Sequence, residues 1–271
     1  MSTGIPQTRH HATAMLGLVT AISLERGCLP RACRWRAVAD PSGLPLRAAG
    51  LNGVELLCAV SGPGMEAARA AAEALVRRGA RALLCIGVSG GLAPGLSAGD
   101  LVLAEAVLAS GFPGLRIPAS PAWTRQALAA LQASMPLAGP RPRIVPGQVL
   151  SLHRPALGAA RKEDLWRRTH ALIADLESAG VAMAAVEAGV PLLVLRAVCD
   201  PPERDLPPEL PRLLDERGRV RPRRLLWSLA RKPALVTGLL ASRREFSAAL
   251  ASLRRAMDAL AQAGALRPPA G

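Results

Sequence analysis

Short apolar runs alternate with amphipathic stretches along most of this 271-residue chain. The runs Val54–Val60, Ala82–Ile86 and Leu192–Val198 have the length of strands and are apolar at successive positions, which indicates strands buried on both faces. Between them, Met65–Arg78 and Ser120–Met135 carry apolar residues at helical spacing. This alternation predicts an α/β protein with a largely parallel sheet.

The segment 171–200 predicts a strand, a helix that ends at Gly189, and a second strand. Glu177 follows the first strand and Asp200 ends the second. In open α/β sheets, ligands bind beyond the carboxyl ends of the strands, so we expect both carboxylates to lie in a functional site. Each residue also has an ordinary interpretation. Glu177 would suit the first turn of any helix, and Asp200 would suit a turn before proline.

Three further strand ends carry groups of chemical interest. Glu25 follows the predicted first strand, Met15–Ser23. Gly62 lies in a Ser-Gly-Pro-Gly turn that leads into a helix, where free backbone N–H groups suit an anion. Residues 87–92, GVSGGL, contain three glycines that would let the backbone pass close to a ligand. A glycine-rich bulge within a strand is the alternative.

The composition narrows the classes of function. The net charge is +14, which favours anionic partners, but aromatic residues make up only 2% of the chain and tyrosine is absent. This scarcity argues against a surface that stacks nucleic-acid bases. The five cysteines are an odd number without a secretory signal, so we expect a reducing, cytoplasmic location. No histidine extends the Cys28–Cys33 pair into a metal motif, and we expect no metal.

The segment Arg219–Arg244 contains eight basic residues and no acidic one, interleaved with leucine, valine and tryptophan. This pattern is typical of a segment that lies on an anionic membrane surface. A pair of core helices with solvated arginines is an equal alternative. Residues 1–14 are polar and predict a flexible tail, and residues 15–271 predict a single domain that closes with a helix over Glu245–Gln262.

Four blocks, in this order, resemble the nucleoside phosphorylase and nucleosidase superfamily. They are Leu16–Glu25, Val60–Ala68, Gly87–Leu92, and the pair Asp175–Ser178 with Arg196–Asp200. The chain is similar in particular to the methylthioadenosine/S-adenosylhomocysteine nucleosidases. The resemblance implies a three-layer nucleoside phosphorylase-like fold, in which a central twisted mixed sheet is flanked by helices.

The same resemblance implies roles for individual residues. Asp200 would protonate N7 of the leaving purine, and Glu25 would activate the attacking water. Glu177 would hold the ribose hydroxyls. The remaining implied contacts fall into two groups: substrate binding by Leu176, Leu150 and Ser151, and phosphate or nucleophile binding by Gly62, Gly87, Val88 and Ser89.

Four positions depart from the superfamily pattern. Leu176 stands where the family usually has a methionine under the ribose, a mild change. Cys199 stands where a serine orients the catalytic acid, and Val88 stands where a serine contacts the nucleophile or phosphate. Cys85 stands where some phosphorylases carry an arginine that grips phosphate. The departures at Val88 and Cys85 argue against the use of phosphate as the nucleophile.

The basic segment 219–244 makes the chain resemble the hopanoid-associated phosphorylases in particular. That resemblance implies release of adenine from the lipid-linked nucleoside adenosylhopane, by phosphorolysis in preference to hydrolysis. Inorganic phosphate would be the co-substrate, with no other cofactor. We also expect a homo-oligomer, membrane contact through 219–244 at the inner face, and no nucleic-acid partner. The alternatives are a soluble nucleosidase of the methylthioadenosine/S-adenosylhomocysteine type and a non-catalytic nucleotide- or anion-binding module.

Overall fold

The computed structural model describes residues 15–134, 142–206 and 235–268. Within these ranges the chain forms ten strands and six helices. The strands are β1 Met15–Thr20, β2 Arg36–Val38, β3 Leu46–Leu51, β4 Val54–Val60, β5 Ala80–Gly91, β6 Leu101–Ala109, β7 Arg116–Pro118, β8 Ile144–Ser151, β9 Ile173–Asp175 and β10 Leu192–Asp200. The helices are α1 Ser23–Arg26, α2 Met65–Arg77, α3 Pro121–Ser134, α4 Ala159–Thr169, α5 Ser178–Ala188 and α6 Leu235–Gln262.

All ten strands belong to one sheet, which is open at one end and closed on itself at the other. The open end runs in the order β2, β3, β4, β1, β5. The long strand β5 then pairs with both β10 and β9, and β6 and β8 complete a ring between those two strands. Strands β1 and β10 run parallel to β5, and β4 runs parallel to β1. Strand β9 runs antiparallel to β5. The carboxyl ends of β1, β4, β5 and β10 therefore meet at one edge.

The sheet carries a hydrophobic core on each face because its strands alternate their side chains. In β10, Leu193 and Leu195 enter one core, and Val194 enters the other. Helices α3 and α6 cover the first core, where the buried indole of Trp123 donates to the carbonyl of Ala265 at 2.9 Å. Helices α2 and α5 cover the second core. The three layers and the mixed sheet confirm the fold class that the sequence resemblance implies.

Most predicted elements are present with small changes at their ends. The predicted predominance of parallel pairing is wrong, because five of the ten pairings between described strands are antiparallel. The glycine-rich stretch 87–91 continues β5 rather than leaving the sheet. The last helix begins at Leu235 instead of Glu245.

The predicted basic segment 219–244 overlaps the described chain only from residue 235 onward, where it forms the start of α6. Its remainder and the predicted tail 1–14 lie outside the described residues. None of the described helices combines the length and apolar character that crossing a lipid bilayer requires.

Helices α2 and α5 approach closely at Gly180. A Cβ atom at this position would overlap the carbonyl oxygen of Met65 and would lie 2.9 Å from the Met65 carbonyl carbon and 3.0 Å from the Arg69 nitrogen. These are backbone atoms at the start of α2, so they have little freedom to move. The contact fixes the beginning of α5 against the beginning of α2.

We expect Gly180→Ala to lower the free energy of unfolding by about 1–3 kcal/mol, because overpacking forces the two helices apart. Gly50→Ala is the matched control, since a Cβ at Gly50 would meet no atom within 4 Å. Chemical denaturation of both variants measures the difference. Equal stability of the two variants would show that the helices separate without strain.

Candidate active site

A buried guanidinium lies at the centre of the polar edge of the sheet. Arg196 of β10 is fully buried and pairs in register with Gly87 of β5. Its Nη2 atom lies 2.8 Å from Asp175 Oδ2 and donates to Ser178 Oγ at 3.1 Å. Cys85 Sγ lies 3.2 Å from the same nitrogen. A buried charge needs partners of this kind, since desolvation alone would cost several kcal/mol.

Glu177 lies beside Arg196 because β9 runs antiparallel to β5. The pairing of Ala174 with Gly90 directs the chain back along β5, so that Glu177 comes near Gly87. Its Oε1 atom accepts a hydrogen bond from Gly64 N at 3.2 Å, and its Oε2 atom lies 3.5 Å from Arg196 Nη2. Burial raises the pKa of Glu177 to about 7, and the charge of Arg196 opposes the rise.

Glu25 is buried in the short helix α1 and is held by three backbone N–H groups. Oε2 accepts from Ala21 N at 2.8 Å and from Ile22 N at 3.1 Å, as the glutamate of a capping box would. Oε1 accepts from Val88 N at 2.9 Å. Burial raises the pKa of Glu25, while Arg196 and these N–H groups lower it in part.

Glu25 and Arg196 both border the space above Gly87. A Cβ at Gly87 would overlap Arg196 Nη1 and would lie 2.7 Å from Glu25 Oε1. Nη1 is buried without a hydrogen-bond partner, and it forms no ion pair with Glu25. The missing side chain of Gly87 thus leaves an unused donor and a carboxylate oxygen near one point. The absence of a side chain at Gly87 is what lets both groups approach the β5 backbone at this point.

Asp200 ends β10 further along the same edge. Its carboxylate lies over Gly90, where a Cβ would come within 3.1 Å of Oδ2. The thiol of Cys199 donates to Oδ1 at 3.2 Å, so the cysteine at the predicted serine position still contacts the acid. Lys162 Nζ lies 2.6 Å from Oδ2, although Oδ2 makes no well-aligned hydrogen bond. Burial raises the pKa of Asp200, and Lys162 opposes the rise.

A sequence profile described as "Phosphorylase superfamily" matches residues 20–230, which is most of the chain. The chain belongs to the phosphorylase superfamily. The superfamily membership inferred from the four sequence blocks is thereby confirmed. None of the curated protein sequences compared with the chain matches it.

Solved structures share the superfamily fold over 70–95% of the chain. The 5′-methylthioadenosine/S-adenosylhomocysteine nucleosidase from Colwellia psychrerythraea, in complex with adenine, is 15% identical with a TM-score of 0.70, covering 95% of this chain and 98% of its own. The corresponding Helicobacter pylori nucleosidase is 17% identical with a TM-score of 0.69, covering 93% and 98%. Futalosine hydrolase from Helicobacter pylori is 21% identical with a TM-score of 0.62, covering 70% and 89%.

The structure brings five of the ten predicted site residues of this superfamily member to one edge of the sheet. Glu25, Glu177 and Gly87 lie around Arg196, Val88 contributes the N–H group that donates to Glu25, and Asp200 lies at the same edge. Gly62 belongs to the turn before α2, and its N–H donates to the carbonyl of Ala21 at 3.0 Å.

Four predicted residues face other surroundings. Leu150 and Leu176 belong to a small apolar cluster that also contains Leu165 of α4. Ser89 Oγ points to the carbonyl of Ala197 at 3.5 Å. Ser151 is fully buried; its hydroxyl donates to Asp175 Oδ1 at 2.6 Å and accepts from Ala179 N at 2.8 Å. The Ser151 side chain is therefore committed to the protein interior.

Arg196, Asp175, Ser178 and Lys162 have structural roles in the site that no sequence motif predicted. The charges of Arg161–Arg168 are, from sequence alone, those of a solvated helix face. Yet only two of the 34 basic residues are lysines, Lys162 and Lys232. A lysine in so arginine-rich a chain was a usable signal of a specific requirement at position 162.

The described residues show no other centre of comparable chemistry. Within them, no group of three or more His, Cys, Asp or Glu side chains is placed to hold a metal ion. A surface cavity of about 270 Å³ lies between the end of α5 and the start of α3, and it is bordered mainly by apolar residues such as Ile117 and Val186. None of the site carboxylates borders it.

We expect Glu177→Gln to be more stable than the unchanged protein at pH 8. Folding raises the pKa of Glu177 from 4.5 to about 7, so the folded protein holds this proton more tightly than the unfolded chain. The unchanged protein therefore loses stability as the pH rises from about 4.5 to 7. Glutamine cannot ionise and avoids this loss.

The expected gain is on the order of 1–3 kcal/mol at pH 8 and shrinks towards pH 5. Urea denaturation at several pH values measures it. Glu187→Gln is the control, because the Glu187 side chain is 55% exposed on the same helix. A gain that does not depend on pH would contradict the explanation.

Proposed function

We propose that this protein hydrolyses the N-glycosidic bond of a purine nucleoside and releases the base. The observation that carries the proposal is that two groups lie beside Gly87: Arg196 Nη1, a buried donor without a partner among the described residues, and the carboxylate oxygen Oε1 of Glu25. These two groups lie on the same sheet edge as Asp200. Glu25 could therefore activate a water molecule at one end of a bound nucleoside while Asp200 protonates the purine at the other end. The nucleosidase names of the structural neighbours support the same reaction class.

Asp200 is suited to protonating the leaving base. Breaking the bond between C1′ and N9 sends the electron pair to the purine, which leaves far more easily when N7 accepts a proton. Burial raises the pKa of Asp200, which favours the protonated acid that this step requires. The Cys199 thiol and Lys162 hold the carboxyl group at the edge.

Glu177 is suited to binding the ribose. Its carboxylate is anchored by Gly64 N and by Arg196, and it is buried at the start of α5, with only 8% of the side chain exposed. A carboxylate accepts hydrogen bonds from two vicinal hydroxyl groups, and these charge-assisted bonds are stronger than neutral ones. Its negative charge also stabilises the positive charge that develops at C1′.

The charges near Gly87 favour water over phosphate as the nucleophile. Glu25 and Glu177 border this region, whereas Arg196 already shares its charge with Asp175. A phosphate dianion would meet this excess of carboxylates, but water can donate to Glu25 and accept from Arg196 Nη1. As the water oxygen bonds to C1′, Glu25 takes its proton. The preference for phosphorolysis drawn from the sequence remains an untested prediction, and the geometry favours its hydrolytic alternative.

Adenine release from methylthioadenosine, followed by ultraviolet absorbance, tests the proposed reaction. We expect Asp200→Asn to lower kcat by about 10²–10⁴-fold, since the base then leaves without its acid. Glu203→Gln is the control, because Glu203 is an exposed carboxylate three residues further along the chain. An Asp200→Asn variant with unchanged activity would assign the acid role elsewhere, and a non-catalytic binding module would show no release at all.

Phosphate dependence separates the two nucleophiles. We expect the same rate with and without inorganic phosphate, and mass spectrometry of the sugar should find the free ribosyl product. Glu25→Gln should lower kcat by about 10²–10⁴-fold, because the water then lacks its base. A phosphorylated sugar that appears only with phosphate would overturn the hydrolytic assignment while leaving N-glycosidic cleavage intact.

The substituent on the ribose 5′ carbon remains the prediction made from the sequence, namely the lipid of adenosylhopane. The eight basic residues of 219–244 support it, because they would draw the enzyme to an anionic membrane that holds such a substrate. We expect a higher kcat/KM for adenosylhopane in anionic vesicles than for methylthioadenosine in solution. The reverse ranking would favour the soluble alternative.

A further inference from the structure

The side chain of Lys162 is fully buried beside the proposed active site, with no exposed surface. It projects from α4 to the end of β10. Its Nζ atom donates to the carbonyls of Pro201 and Arg204, each at 2.9 Å, and lies 2.6 Å from Asp200 Oδ2. One ammonium group therefore joins α4, the loop after β10 and the proposed acid.

The choice of lysine at this position is specific. The chain uses lysine at only two of its 34 basic positions. A compact ammonium concentrates three donors and its charge on one nitrogen, so that it can donate to the two carbonyl oxygens while its charge contacts the carboxylate. The planar fork of arginine could not direct its N–H groups to three such points from one atom.

We propose that Lys162 is a positioning residue for Asp200: it holds the acid at the sheet edge, and its charge sets the pH above which Asp200 stops protonating the leaving base. This inference rests on the proposed function. The inference goes beyond the proposed function because, in that function, Lys162 contacts neither the purine base nor the ribose.

Each element around Asp200 contributes a titratable or charged group. Cys199 lies on β10, and Lys162 lies on α4. Glu245 lies on α6, where it forms an ion pair with Arg204 of the loop after β10. Burial raises the pKa of Asp200 most, Lys162 and the Cys199 hydrogen bond lower it, and Glu245 raises it. Lys162 is thus the cation that keeps the pKa of the acid from rising further.

The sign of the pH effect follows from the role of the acid. Asp200 acts when protonated, so activity falls as the pH rises through its pKa. Removing the positive charge of Lys162 raises that pKa. The alkaline limb of the pH profile of kcat/KM must then move to higher pH, even as the loss of positioning lowers the maximum rate.

The decisive experiment compares Lys162→Gln with Lys162→Arg. Glutamine keeps one hydrogen-bond donor group but removes the charge. We expect a kcat about 10²-fold lower, from misplacement of the acid. We also expect an alkaline limb shifted upward by roughly 1–3 pH units. Arginine keeps the charge and should keep the limb of the unchanged enzyme. Arg161→Gln is the control, because Arg161 is exposed on the same helix and pairs only with Asp164 in the described structure.

A measurement on the unchanged protein complements the variants and does not depend on their folding. Protein labelled with ¹⁵N-lysine has two Nζ signals, one for each lysine. We expect the signal of the buried Lys162 to shift with pH, with a midpoint that matches the alkaline limb of kcat/KM. A buried lysine signal that stays constant from pH 5 to 9 would overturn the proposal.

The outcomes distinguish this inference from the function on which it rests. No base release by the unchanged enzyme would contradict the proposed function itself. Base release together with a slower Lys162→Gln variant whose alkaline limb is unshifted would contradict only the role of Lys162 in setting the pH range. An equal upward shift in Lys162→Arg would do the same, because that variant retains the charge.

Discussion

The burial of the Arg196 guanidinium is the constraint around which the polar edge of this protein is built. A charge without solvent contact requires compensation, and the chain supplies it from β9 and α5 through Asp175, Glu177 and Ser178. These partners occupy one side of the guanidinium. The other side, at Nη1, remains free beside Gly87 and Glu25. The partners that compensate the buried charge therefore bind Nε and Nη2, and Nη1 is the one guanidinium nitrogen that they leave without a hydrogen bond.

The topology of the sheet brings these groups together from distant parts of the chain. Strand β5 pairs with a parallel β1 and β10 and with an antiparallel β9. The parallel strands direct the segments that carry Glu25 and Asp200 to the same edge, while the antiparallel strand returns Glu177 to the middle of β5. Glycine at positions 87 and 90 leaves room for the carboxylates over the strand.

The sequence was sufficient to predict what depends on strand ends and on short motifs. Glu25, Glu177 and Asp200 were placed at one edge because apolar runs define strands, and their carboxyl ends define the edge. Contacts between elements distant in the chain were beyond such reasoning. Lys162 shares the helical spacing of exposed neighbours such as Arg161, and only the docking of α4 against β10 buries it. Ser151 was likewise predicted to bind substrate beside Leu150, but side-chain alternation turns its hydroxyl to Asp175.

The pairing of β10 with β5 also has a consequence for how the chain reaches its native state. A slip of one residue would exchange the two faces of β10 and carry Arg196 into the apolar layer under α3 and α6. There the guanidinium would lose its acidic partners, a penalty of several kcal/mol. The buried charge therefore disfavours misaligned pairing of β10 with β5 during folding, in the absence of any ligand.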